Sequence, residues 1–211
     1  MKIRTRVLAV VAATGMALVP AVAGASAASA KSSNQSLATV LLSGAKANGD
    51  PSYDRNGRDF DILTAAVLTV LAAKPSSPVS VLTDGDVPLT AFLPTDNAFE
   101  RTGEFLGLTA YTERGLATKY VAALGVDTLE AVLLYHVVPG VTIDSSAAVA
   151  ADGAELTTAL GQTVRVKLNP GGLFIKDQVS GNNNPRVTIP DINAGNPQIG
   201  HGIGRVLLPS M

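Results

Sequence analysis

The stretch Leu89-Thr90-Ala91-Phe92-Leu93-Pro94-Thr95-Asp96-Asn97-Ala98-Phe99 decides the fold. Leu89 to Leu93 is an apolar run of strand length, Pro94 ends it, and Thr95 or Asp96 carries a side chain suited to cap a helix running through Glu104. A strand that turns directly into a helix puts Phe92 and Phe99 where both can fill the core between sheet and helix, and Thr95 is expected to satisfy the orphan amides of the helix start. Upstream, Val79 to Leu82 is a second short apolar run, and the turn Asp84-Gly85-Asp86 between the two runs predicts a pair of strands.

Helical periodicity surrounds this unit. Ser36 can cap a short helix with Leu37, Val40 and Leu41 on one face, and Asp59 or Asp61 opens a longer one whose apolar positions run from Ile62 to Val70. That helix reaches Lys74, where Pro75 and Pro78 forbid continuation. Thr112 to Leu124 is helical again and Gly125 closes it. Asp127 then caps another helix, with Glu130 completing an acidic capping box and Leu129, Val132, Leu133 and His136 on one face, up to Pro139-Gly140. After Gly140 the period changes from helical to alternating, through Leu156 to Leu160, Thr163 to Leu168, Leu173 to Ile175, Val187 to Ile189 and Val206 to Leu208. Helices early and strands late describe an α+β domain.

Composition narrows the function. Among 211 residues, 16 Lys and Arg stand against 17 Asp and Glu, so there is no basic excess with which to neutralise phosphates, and no nucleic-acid partner is expected. Zero Cys removes disulfides, thiol nucleophiles and thiolate metal sites, and nine aromatics with no Trp leave little for stacking bases or sugars. Residues 1–30 read as a signal peptide: Lys2, Arg4 and Arg6 lead an apolar run from Val7 to Ala23, and Ala25-Ser26-Ala27 and Ala28-Ser29-Ala30 both offer small-x-small cleavage sites. Residues 31–35 follow as a flexible stub and 36–211 as one domain, with no transmembrane segment once the leader is removed. The mature chain keeps 13 basic against 17 acidic side chains, a net charge near −4 that suits a soluble secreted or cell-surface protein.

Three segments carry a family resemblance. Leu89 to Phe99 resembles the first signature box of fasciclin domains, Leu133-Leu134-Tyr135-His136-Val137-Val138-Pro139-Gly140 resembles their Tyr-His box, and Arg205-Val206-Leu207-Leu208-Pro209 resembles the end of their closing box, in the same order and spacing. The resemblance spans about Ser36 to Pro209 and implies a fasciclin-like β-sandwich or wedge with helices packed on it. It also implies a non-catalytic adhesion module, with contact residues falling on Tyr135, His136, Asp191 and Ile192. The closing box departs from the family pattern: Gly200 replaces an apolar residue and Gly204 an Asp, while His201 and Ile203 keep their places. Glycines within a strand weaken it and mark a bulge or a close backbone approach.

Other motifs are weaker. Gly200-His201-Gly202-Ile203-Gly204 has the glycines of a phosphate loop but no helix after it, and Ser43-Gly44-Ala45-Lys46 lacks the companion elements of penicillin-recognising enzymes. Asp50, Asp54, Asn56, Gly57, Asp59 and Asp61 have the composition of a calcium loop, yet with Gly57 at the sixth position Ser52 falls at the first and Leu63 at the twelfth, so both essential carboxylates are missing. His136 and His201 are the only histidines, and no carboxylate is placed to complete a metal site with them. No metal or cofactor is therefore expected, and melting should be indifferent to calcium or a chelator. Asn34-Gln35-Ser36 is a glycosylation sequon in form. The leading reading is a secreted adhesion or surface-interaction module binding extracellular protein or polysaccharide. A small-molecule carrier with a pocket between helices and sheet, and an exported hydrolase, are the alternatives.

Overall fold

Six consecutive buried residues, Leu89–Pro94, form strand β1, the spine of the molecule. In this computed structural model, which describes residues 34–44 and 50–210, β1 is flanked on one side by antiparallel β2 (Val137–Pro139) and on the other by parallel β7 (Gln198–Ile203). β6 (Val187–Ile192) pairs antiparallel with β7 and completes a four-stranded sheet in the order β2-β1-β7-β6. A second, antiparallel sheet is built in sequence order from β3 (Glu155–Thr157), β4 (Thr163–Asn169) and β5 (Gly172–Lys176). The expected leader, residues 31–33 of the expected stub and Lys46 lie outside the described residues. Of the stub, Gln35 is tied down: its amide donates to Asn196 Oδ1 at 2.9 Å and its carbonyl accepts from Asn193 Nδ2 at 2.7 Å.

The alternation of β1 divides the core in two. Leu89, Ala91 and Leu93 face a large cluster made with α1 (Leu37–Leu42), α2 (Asp61–Ala73) and α4 (Glu113–Tyr135). Phe92 points the other way, into a smaller cluster with Val138, Val164, Ile175, Ile203 and Leu207 that fills the space between the two sheets. The two phenylalanines of the signature stretch therefore serve different cores. Phe99, in α3 (Asp96–Leu106), packs edge-on against Tyr120 with ring centroids 5.3 Å apart in the helical cluster.

Helix ends depart from the sequence reading in instructive ways. Ser36 caps α1 as expected, accepting from Thr39 N at 3.2 Å. Helix α2 begins after Phe60, which offers no cap, and its Ile62 amide instead donates to Asp96 Oδ1 from α3 at 2.9 Å. Thr95 makes no side-chain cap either: the first amides of α3, on Asp96 and Asn97, donate to the carbonyls of Asp59 at 3.0 Å and Gly57 at 2.8 Å. Loop 50–58 and the two helix starts thus cap one another through tertiary contacts that local spacing cannot reveal. The expected strand Val79 to Leu82 is a 3-10 helix, Pro78–Thr83, because Pro78 presets the first turn and Ser77 Oγ accepts from Val79 N at 3.2 Å.

Two expected helices fuse into α4, broken at Gly125, whose φ of 70° and ψ of 169° reverse the chain locally. Asp127 and Glu130 both approach Lys74 Nζ at 2.5 Å, an ion pair to α2 where a capping box was expected. A short helix, α5 (Ser145–Ala150), capped by Asp144, follows β2. The expected closing strand Val206 to Leu208 is not a strand, because its amides are taken by side chains. Val206 N donates to Thr102 Oγ1 at 3.0 Å, Leu207 N to His136 Nε2 at 2.9 Å and Leu208 N to Asp177 Oδ2 at 3.1 Å. The sheet position belongs to β7, where a Cβ on Gly200 would lie 2.6 Å from Leu93 Cδ1 and one on Gly202 would lie 2.9 Å from Ile189 Cβ. Of the two glycines singled out from the sequence, Gly200 makes a close approach and sits where the β6–β7 register shifts, while Gly204 lies beyond the end of β7.

Candidate functional site

Tyr135 and His136 end α4 and are buried on all sides. Tyr135 Oη donates to the Thr163 carbonyl at 3.1 Å, fixing β4 to the helix end, and burial pushes its phenol up to about 12. His136 Nε2 accepts from Leu207 N, so the ring proton sits on Nδ1, which faces the Val132 carbonyl at 2.7 Å. Burial pulls this imidazole down to about 4, keeping it neutral. Its main chain also serves β1, since the His136 carbonyl accepts from Phe92 N at 2.9 Å. The box is architecture: it locks helix, both sheets and closing segment together.

Asp191 and Ile192 lie at the end of β6, the edge strand of the larger sheet. Asp191 has a φ of 59° and Asn193 one of 66°, backbone that favours glycine and costs about 1–3 kcal/mol at other residues. What holds Asp191 there is its carboxylate, which accepts from Ser145 N at 2.7 Å and from Ser145 Oγ, fastening α5 to the sheet edge. Burial alone raises its pKa, but the Ser145 hydrogen bonds and nearby His201 outweigh it and hold the group below its ordinary value. Ile192 is half-buried against the helical core. No hydrogen bond joins this turn to Tyr135 or His136, so the four residues form two places and not one.

His201 is the residue that sequence reasoning undervalued. Its Nδ1 accepts from Asp191 N at 3.3 Å and its Nε2 faces the Ile143 carbonyl at 2.8 Å. Ser145, Asp191 and His201 therefore stand side by side, but both imidazole nitrogens are spent on backbone and the serine hydroxyl donates to the carboxylate. A nucleophile needs the base on its hydroxyl, so this trio does structural work as arranged. A carrier site calls for an enclosed apolar cavity of roughly 300–1,000 Å³. The apolar pocket between α1 and α2, lined by Leu41, Leu42, Val67 and Leu71, measures about 100 Å³.

Two sheets with helices banked on one of them, and two histidines locked into the backbone, define an α+β fold of the fasciclin type. The family profile of the fasciclin domain matches residues 65–209, and the chain belongs to that family. Among solved structures, the chain is similar to one described as a "FAS1 Domain Pair from the Insect Cell Adhesion Molecule Fasciclin I", with a TM-score of 0.51 and 15% identity over 82% of this chain. It spans about half of that structure's length, 51%. A comparison with curated proteins finds no match.

Proposed function

We propose that the protein is a secreted, non-catalytic cell-adhesion or surface-interaction module that binds an extracellular protein or polysaccharide, with its contact surface at the turn around Asp191 and Ile192. Membership of the fasciclin family, matched over residues 65–209, carries this reading. The similar insect structure belongs to a cell adhesion molecule by its description, which supports it. The charged, then apolar, then small-residue pattern of residues 1–30 supports export. Among the described residues no helix is long and apolar enough to cross a membrane.

The turn is favoured as the contact because strained backbone at an exposed sheet edge is held there at a cost, and such strain gathers where recognition occurs. Tyr135 and His136 belong to the proposal as supports, so that a binding defect in a variant of either is expected only in step with loss of fold. The test is retention of the immobilised chain on the surface of its producing cells and of neighbouring cells. Replacing Ile192 by Ala should lower retention, read well below the melting temperatures of both proteins, by about tenfold or more, the loss expected of a contact hot spot, alongside a modest fall in melting temperature from its lost packing against the helical core. Retention equal to wild type would move the contact elsewhere, and substrate turnover by the purified chain would overturn the non-catalytic reading.

A further inference from the structure

Five carboxylates from four segments converge where loop 50–58 meets three helix starts. Asp61, Asp96 and Glu113 are the first residues of α2, α3 and α4, and Asp54 and Asp59 come from the loop. One oxygen from each of Asp59, Asp61 and Asp96 lies within 4.8 Å of the other two, and the same holds for Asp54, Asp61 and Glu113, so Asp61 is common to both groups. None of the ion pairs among the described residues includes any of the five, and the nearby Arg114 guanidinium lies over the Tyr53 ring, 4.9 Å from its centroid.

Five of these ten oxygens accept hydrogen bonds. Asp61 accepts from Ser52 N at 3.1 Å, Ser52 Oγ at 2.9 Å and Tyr53 N; Glu113 Oε2 accepts from Arg55 N at 3.0 Å; Asp54 Oδ1 accepts from Asn56 N at 2.9 Å. Two of the others are buried without a donor. Asp96 is wholly buried, at 0% exposure, and while its Oδ1 takes the Ile62 amide its Oδ2 has no donor; nor has the buried Oδ1 of Asp59. A hydrogen bond between these two carboxyls exists only if one of them holds a proton. Two ionised carboxylates cannot face each other in a buried site without a positive charge between them. Capping Ile62 needs a single carbonyl oxygen, which Asn would supply, so capping does not account for the second oxygen of Asp96.

We propose that Asp59, Asp61 and Asp96 bind a divalent cation of the calcium class, with Asp54 and Glu113 as flanking carboxylates. The donors are all hard oxygens, as calcium prefers, and waters complete its six to eight ligands. Asp59 is only partly buried and Asp54 is exposed, which gives the ion a way in. The sequence reading rejected calcium because loop 50–61 alone lacks two carboxylates; the fold supplies Asp96 and Glu113 from elsewhere. Burial and the neighbouring carboxylates raise the pKa of Asp96 and of Asp59, the crowding of like charge that a bound cation would relieve.

The test is thermal melting of the full chain, stripped by a chelator and then given CaCl2, near neutral pH. With a Kd of about 10⁻⁴–10⁻³ M, about 5 mM calcium should raise Tm by about 2–8 °C. Asp96→Asn, which keeps the cap on Ile62, should abolish the shift while melting no lower than metal-free wild type. Should that variant fail to fold, Asp59→Asn is read the same way. Absence of a calcium shift, an equal shift from NaCl at matched ionic strength, or a full shift retained in these variants would overturn the proposal.

Discussion

His136 joins α4, β1 and the closing segment, accepting one amide through Nε2, facing one carbonyl through Nδ1 and offering its own carbonyl to Phe92. Replacing it by Ala orphans the Leu207 amide in the core, and the expected loss is about 1–3 kcal/mol near pH 7. The loss should depend on pH in a defined direction. The folded protein holds the ring neutral until about pH 4, whereas the unfolded chain takes up a proton below the ordinary value of 6.5. Between those values the unfolded state binds more protons, so the stabilisation contributed by His136 falls as pH falls, by up to about 3 kcal/mol. The penalty of His136→Ala should therefore shrink toward nothing as pH approaches 4. Urea melts of both proteins across this range check it, and the difference between them cancels the carboxylates common to both. A constant penalty would mean that the ring is not held neutral by the fold.

Among the elements, α4 is where local sequence was read well and where its limit shows. Gly125 is legible as a break because its signal is local. The pairing of Asp127 and Glu130 with Lys74 is not, because it depends on how α2 lies against α4. The same division holds across the fold. Ser36, the α2 apolar face and the strands at Thr163 to Leu168, Leu173 to Ile175 and Val187 to Ile189 are legible from spacing alone, whereas the close approach at Gly200 is legible only as a departure from the family pattern. The 3-10 helix at Pro78–Thr83, the mutual capping of α2 and α3 and the strand identity of β7 depend on partners more than thirty residues away or on a cap outweighing an apolar run. At the candidate sites, Tyr135, His136, Asp191 and Ile192 came from resemblance, while the Asp96 contribution to the acidic cluster is visible only in three dimensions. Gly125 also gives a clean test of backbone strain, since a Cβ there meets nothing within 4 Å. Gly125→Ala should cost about 1–3 kcal/mol through conformation alone. Chemical denaturation measures it, and an unchanged midpoint would show that the break tolerates any residue.

For the molecule as a whole, the segment after β7 adds hydrogen bonds between layers already joined at the end of α4 and at the sheet edge. Val206 belongs to the helical core and Leu207 to the core between the sheets, so two adjacent residues serve both. Their amides and that of Leu208 end on Thr102 in α3, His136 after α4 and Asp177 after β5. Asn182 Nδ2 adds a bond to the Val206 carbonyl at 3.1 Å. Removing residues 206–211 forfeits about 1.5–3 kcal/mol for each of the two buried side chains and orphans the Thr102, His136 and Asp177 acceptors at about 1–3 kcal/mol apiece. That sum, about 6–15 kcal/mol, is comparable with the whole stability of an ordinary domain, about 5–15 kcal/mol. The shortened chain should therefore lose cooperative melting by circular dichroism and yield to protease along its length, in the helical half as readily as in the strands. Selective loss of the three-stranded sheet, with α1 to α4 still protected, would instead mean that the helical layer stands by itself and that the closing segment secures only one side of the wedge.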